Sequence, residues 1–105
     1  MSRGVLMQKR SVGYGAESSK IYIMSVMFKK FDDVYIIEEE LKRGNIVIVN
    51  ISRFMTPSKI AELKQILTVL KKMVSRLGGD IARLGNQRII LTPSFVEIVK
   101  GEERR

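Results

Sequence analysis

Few residues in this chain could perform chemistry, and their spacing is poor for catalysis. The 105 residues include no histidine and no cysteine, which excludes an imidazole base, a thiol nucleophile and the usual zinc site. The carboxylates Glu38, Glu39 and Glu40 are consecutive, so on a helix they point around the axis rather than at one another. Asp80 follows a glycine at a turn and is interpreted as structural. We therefore expect no enzyme, no cofactor and no metal site.

The glycine-rich segment Gly78 to Gly85 is the one stretch that resembles a phosphate loop. It lacks the Gly-Lys-Ser/Thr ending of such loops, and a strand, not a helix, is predicted to follow it. The segment therefore predicts a turn and a hairpin.

The charge balance indicates an anionic partner without choosing one. Lys and Arg number 19 against 11 Asp and Glu, a net charge of +8, which suits nucleic acid, an anionic membrane or an acidic protein segment. No apolar stretch reaches the ~18 residues of a spanning helix, and the start lacks a secretory signal. We expect a cytoplasmic protein.

Hydrophobic patterning predicts one α/β domain, an α+β two-layer sandwich with the order β-α-β-α-β-β-β. We expect a mixed sheet of about five strands with two helices on one face. Residues 1–19 are interpreted as a flexible leader, 20–100 as the domain and 101–105 as a charged tail. The predicted strands are Ile21 to Phe28, Ile46 to Ile51, Asp80 to Leu84, Gln87 to Thr92 and Phe95 to Val99; the helices run from Asp32 or Asp33 to Gly44 and from Thr56 to Gly78.

Too much apolar surface is present for two helices to cover. Right-handed crossovers place both helices on one face of the sheet, yet Ile46 and Ile48 belong to a strand that is apolar on both faces. An uncovered apolar face normally marks an interface, so we expect a homodimer. The second helix carries Ile66, Val69 and Met73 beside its main apolar stripe; they either pack between the sheet and the first helix or meet a second subunit.

The leader contains one small apolar group beside two cations. Val5, Leu6 and Met7 precede Lys9 and Arg10. The leader is either disordered or a short amphipathic segment that contacts an anionic membrane.

The stretch from Asn45 to Asn50 and Arg53, followed by that from Gly78 to Ile98, resembles the SepF family of cell-division proteins. The specific part is the pattern GGDI-x-R-hydrophobic-G, then a strand ending in Thr92-Pro93 and an apolar segment. The resemblance covers about Ile21 to Ile98. In length and in its compact N-terminus the chain is more similar to archaeal members than to bacterial ones.

The resemblance implies a non-enzymatic adaptor. SepF proteins are dimers of a small α/β sandwich that bind the C-terminal tail of FtsZ, the tubulin-like division GTPase. An N-terminal amphipathic segment tethers them, and with them the FtsZ filament, to the cytoplasmic membrane at the septum. The family's tail-binding basic and apolar positions fall on Arg83 and Ile89 in this chain, with Arg88, Arg53 and Phe54 as further candidates.

Two departures from the family pattern concern assembly. The linker from Ser11 to Ser19 is short and carries one acid, Glu17. The second helix is longer than in bacterial members, so we expect a dimer that does not form rings.

Two other functions stay open. The first is a small basic nucleic-acid-binding protein that tracks phosphates with cations on one arc of the second helix. The second is a dimeric scaffold with another client. Binding of an FtsZ tail peptide separates the adaptor from both. The cations of that arc are Lys64, Lys71, Lys72 and Arg76.

Overall fold

A computed structural model describes residues 20–99 and residue 101. The described chain forms a strand, a helix, a second strand, a second helix and then two strands that pair as a β-hairpin. Two short 3-10 turns precede the second helix. The elements are β1 (Ile23–Met27), α1 (Asp33–Lys42), β2 (Ile46–Asn50), the turns Ser52–Phe54 and Pro57–Lys59, α2 (Ile60–Arg76), β3 (Asp80–Leu84) and β4 (Arg88–Thr92).

The sheet is mixed, as the sequence predicts. Its order is β1-β2-β4-β3, with β1 parallel to β2 and with β4 antiparallel to both β2 and β3. Both helices therefore lie in crossover connections between parallel strands, and β4 inserts between the strands that α2 connects. As a result β3 lies at one edge of the sheet.

One face of the sheet packs against both helices. Val47, Val49 and Leu91 are fully buried and belong to one cluster with the apolar faces of α1 and α2. This confirms the two-layer arrangement. The helical members of the cluster are Val34, Ile37, Leu41, Leu63, Ile66, Leu70, Met73 and Val74.

The other face, which we call the open face, carries no helix in the described part of the chain. Its side chains alternate with the buried ones, since the register pairs Ile23 with Ile46 and Ile48 with Ile90. Ile23 is 66% exposed, whereas Ile46, Ile48 and Ile90 are half-buried. The predicted uncovered apolar face is present.

The predicted fifth strand over Phe95 to Val99 is wrong. After β4 the chain turns at Pro93. Side chains then form hydrogen bonds with backbone groups that would otherwise pair with a neighbouring strand. The hydroxyl of Thr92 donates to the Val96 carbonyl at 2.7 Å, and Asp80 Oδ2 accepts from the Ile98 amide at 3.0 Å. These bonds hold the segment beside the start of β3 as irregular chain.

The glutamate run of α1 is not uniformly exposed. Glu40 is buried, and a hydrogen bond that its carboxylate accepts from the fully buried Asn45 Nδ2, at 2.9 Å, offsets the cost of that burial. Asn45 Oδ1 accepts from the Tyr22 amide at 3.0 Å. The network thus joins the end of α1 to the residue before β1.

The glycine pair after α2 has a structural cause. Gly78 has a φ of +78°, the left-handed conformation that ends many helices. At Gly79 a Cβ would overlap the Thr92 carbonyl oxygen of β4. Asp80 follows at once, and its amide donates to Thr92 Oγ1 at 3.1 Å. The Gly-Gly-Asp pattern therefore fixes the point at which the chain leaves α2 and enters the sheet as β3.

Replacing Gly79 by alanine tests this close approach. Because backbone occupies the space of the new methyl group, Gly79→Ala should lower the free energy of unfolding by about 2 kcal/mol or more. Gly85→Ala is the control, since Gly85 has a φ of +77° but open space around it. That variant should lose about 1 kcal/mol from backbone strain alone. Urea unfolding measures both, and a smaller loss at Gly79 than at Gly85 would contradict the packing described.

Candidate peptide-binding groove

A groove of about 220 Å³ lies between the edge strand β3 and helix α2. Ile51 and Ile89 are buried at its floor, while Leu67 and Ile81 are half-buried. Two cations, one from each element, complete it. The lining residues are Ile51, Leu67, Lys71, Ile81, Ala82, Arg83 and Ile89.

Strand register and helix period bring these side chains together. Arg83 pairs with Ile89 across the hairpin, so both lie on the helix-facing side of the sheet. Ile81, two residues before Arg83, shares that side. Leu67 and Lys71 are one turn apart on α2 and therefore share a helix face. Because β3 is the edge strand, the space beside α2 stays open to solvent here.

The groove is apolar at the floor and positive at the rim. Lys71 and Arg83 are exposed, and no acidic side chain is among the lining residues. Within the described residues, the ion pairs all use Glu38 or Glu40 and none involves these two cations. Arg83 Nη2 reaches the Asn86 carbonyl at 3.4 Å, which is a long hydrogen bond. Such a groove can accept an aliphatic side chain together with carboxylates.

A second depression, on the outer surface of the helices, differs from the groove because an acidic side chain lines it. It lies between α1 and α2 and includes Glu38, Lys72 and Arg76. Arg76 Nη2 donates to Glu38 Oε2 at 2.7 Å, and this hydrogen bond holds the pKa of Glu38 below its usual value. A carboxylate already pairs with Arg76, so this surface is less suited to an anionic ligand than the groove.

The five predicted tail-binding residues do not lie together. Arg83 and Ile89 line the same groove. Arg88 pairs with Leu84 and so lies on the open face. Arg53 is exposed on the turn after β2, and Phe54 is only 6% exposed, with its ring 5.8 Å from that of Phe28 in the core.

Sequence reasoning missed the contribution of α2 to the groove. The helical period groups Lys71 with the other cations on one arc of the second helix. In the structure Lys72 lines the outer depression, whereas Lys71 lines the groove. Its position one turn after Leu67, at the border of the apolar stripe, was the available signal. The sequence predicts Ile51 at the end of a strand, and its place at the groove floor depends on the tertiary fold.

The predicted packing residues separate into three groups. Ile66 and Met73 are buried in the core between the sheet and α1. Val69 is half-buried and lines the outer depression. Ile46 and Ile48 are half-buried on the open face.

The predicted membrane-contacting residues Val5, Leu6, Met7, Lys9 and Arg10 lie outside the described residues. In the part of the chain that the structure describes, no helix has the length and apolar character needed to cross a membrane. Over the same residues, no cluster of three or more acidic, histidine or cysteine side chains is placed to hold a metal ion.

Comparison with known proteins supports the resemblance seen in the glycine-rich hairpin. A family model described as "Cell division protein SepF" matches residues 23–98, which include every strand and both helices. The chain belongs to the SepF family. The matched range contains the groove and the open face, so both lie within the part of this chain that matches the family.

Curated SepF relatives are similar over most of this chain. The cell division protein SepF of Staphylococcus haemolyticus is 36% identical over 95 residues, 90% of this chain and 45% of the relative. That of Staphylococcus epidermidis is 35% identical over 95 residues, with the same coverage of 90% and 45%. The chain therefore spans less than half the length of these relatives.

Solved structures of SepF proteins share the fold. The SepF-like protein from Pyrococcus furiosus has a TM-score of 0.72 and 31% identity, covering 77% of this chain and 96% of that chain. The cell division protein SepF from Methanobrevibacter smithii, solved in complex with FtsZ-CTD, has a TM-score of 0.62 and 28% identity, covering 75% of this chain and 98% of that chain.

Proposed function

We propose that this protein is a non-enzymatic cell-division adaptor that binds the C-terminal tail of FtsZ in the groove between β3 and α2. The observation that carries the proposal is the meeting of Arg83 with Ile89 on one side of the hairpin, over an apolar floor. The Methanobrevibacter smithii relative, solved in complex with FtsZ-CTD, supports the choice of partner.

Burial and charge together provide the binding energy. An aliphatic side chain that is fully buried in the groove contributes about 1.5–3 kcal/mol. A charged hydrogen bond between a carboxylate and Arg83 adds about 0.2–1 kcal/mol, because Arg83 is exposed and water screens the pair. Because association itself is costly, one groove binds weakly, and two grooves on a dimer gain affinity when the FtsZ filament presents many tails.

Reversing the charge of Arg83 tests the groove. Arg83→Glu should weaken binding of a labelled FtsZ tail peptide at least about tenfold, because attraction becomes repulsion at the rim. Lys72→Glu is the control: it also replaces an exposed cation by a carboxylate, but Lys72 lines the outer depression and not the groove. Fluorescence anisotropy gives both dissociation constants. Equal losses in the two variants, or no binding by the unmodified protein at high micromolar concentration, would overturn the proposal.

The open face supports self-association of the adaptor. Ile23, Ile46, Ile48 and Ile90 form an apolar surface that the described part of the chain leaves without a covering layer. Burying such a surface between two copies stabilises a small domain that has a limited core of its own. We propose that two protomers pack through this face.

Sedimentation velocity at micromolar concentration should show a dimer. Ile48→Asp should shift it towards monomer, because an unpaired charge would be buried at the interface. Tyr35→Asp is the control, since Tyr35 is 67% exposed on the helix layer. A monomeric unmodified protein would contradict self-association, and a dimer that dissociates with Tyr35→Asp but not with Ile48→Asp would assign the interface to the helices.

The N-terminal residues supply the membrane contact in this proposal. Val5, Leu6 and Met7 beside Lys9 and Arg10 combine a small apolar group with cations, which suits the interface of an anionic bilayer. So small a group binds weakly alone, and a dimer doubles the contact. The adaptor would then act at the cytoplasmic membrane face of the division site.

Liposome flotation tests the membrane contact. The full chain should float with vesicles containing anionic phosphatidylglycerol, and deletion of Met1 to Arg10 should abolish most of the floated fraction, because the apolar group and its cations are removed together. Neutral phosphatidylcholine vesicles are the control. Unchanged flotation after the deletion would show that the membrane contact lies elsewhere in the chain.

A further inference from the structure

The two walls of the groove carry one cation each, and the family resemblance accounts for the cation on β3 alone. Arg83 belongs to the glycine-rich hairpin pattern, whereas Lys71 comes from α2. Between them lies an apolar floor that includes Ile89 and Ile81. The arrangement is a positively charged rim on both sides of a hydrophobic slot.

Lys71 is positioned by the core rather than by an ion pair. Leu67, one turn earlier, and Leu70, the preceding residue, pack on or in the core cluster, so the rotation of α2 is fixed. This rotation turns Lys71 to the groove and Lys72 to the outer depression. Within the described residues, Lys71 has no carboxylate within ion-pair distance, and its charge is available to a ligand.

We propose that Lys71 is a specificity-determining residue of the groove, and that the groove selects peptide segments in which an apolar side chain lies between two anionic groups, one for each wall. The inference rests on the proposed function. It adds a requirement of the partner: a segment with one anion, or with both anions on the same side, should lose one of the two charge contacts. The C-terminal carboxylate of a protein tail can serve as one of these anions.

The chain offers a closely matched control for Lys71. Lys72 is adjacent in sequence, carries the same charge on the same helix and lines a different surface. Lys71→Glu should weaken binding of the FtsZ tail peptide at least about tenfold, and Lys72→Glu less than about threefold. Lys71→Met keeps an unbranched apolar stem without the charge, so it should lose only about threefold to fivefold. Both lysines are exposed, and thermal unfolding verifies that all variants fold.

The peptide side of the experiment locates the two anions. Each carboxylate of the peptide is replaced in turn by its amide, and double-mutant cycles are measured against Lys71→Met and Arg83→Met. One carboxylate should couple with Lys71 and a different one with Arg83. Both couplings should shrink at high salt, because the rim is exposed.

The outcomes separate the inference from the proposed function. If the unmodified protein does not bind the peptide, the proposed function itself is overturned. If Arg83→Glu abolishes binding but Lys71→Glu is no worse than Lys72→Glu, only the role of Lys71 is overturned. If one carboxylate couples with both cations, the requirement for two anions is overturned.

Discussion

The close approach of Gly79 to the carbonyl of Thr92 is the constraint on which the rest of this structure depends. Without a side chain at that position, the chain leaves α2 and joins the sheet beside β4 at once. The Asp80 amide then donates to the Thr92 hydroxyl, and the side chains of both residues hold the backbone of the segment that follows β4. The start of β3 is thereby fixed against both the helix and the neighbouring strand.

The groove is a consequence of this fixed start. Because β3 begins at a defined place and pairs in register with β4, Arg83 must lie opposite Ile89 and on the helix side of the sheet. Because β3 is also the edge strand, α2 leaves it partly uncovered. The same geometry thus produces both the paired hairpin and an open apolar slot with cations at its rim, while the open face lies on the far side of the sheet.

The sequence predicts what depends on local pattern. Arg83 and Ile89 were assigned by the resemblance to SepF proteins and not by the pattern. Hydrophobic period predicted both helices and the first four strands. It did not predict that Pro93 and the side-chain bonds of Thr92 and Asp80 prevent a fifth strand. Those bonds join residues on separate elements, and apolar pattern carries no information about them.

Positions that depend on tertiary packing were also missed. Glu40 has the sequence context of an exposed helix face, but Asn45 folds back across the turn to meet it. Phe54 is a further candidate for tail binding beside the residues that the family resemblance assigns, whereas the turn after β2 directs its ring into the core. Lys71 borders the apolar stripe of α2 and Lys72 lies farther from it, but only the packing of α2 on the sheet shows that the two lysines line different surfaces.

The central claim is that the tail of FtsZ binds between β3 and α2, and the isoleucine methyl groups report on it directly. Ile51, Ile81 and Ile89 line the groove, while Ile23, Ile48 and Ile90 lie on the open face. A methyl NMR titration with the tail peptide should shift the first three resonances and leave the second three nearly unchanged. Shifts confined to Ile23, Ile48 and Ile90 would contradict the account.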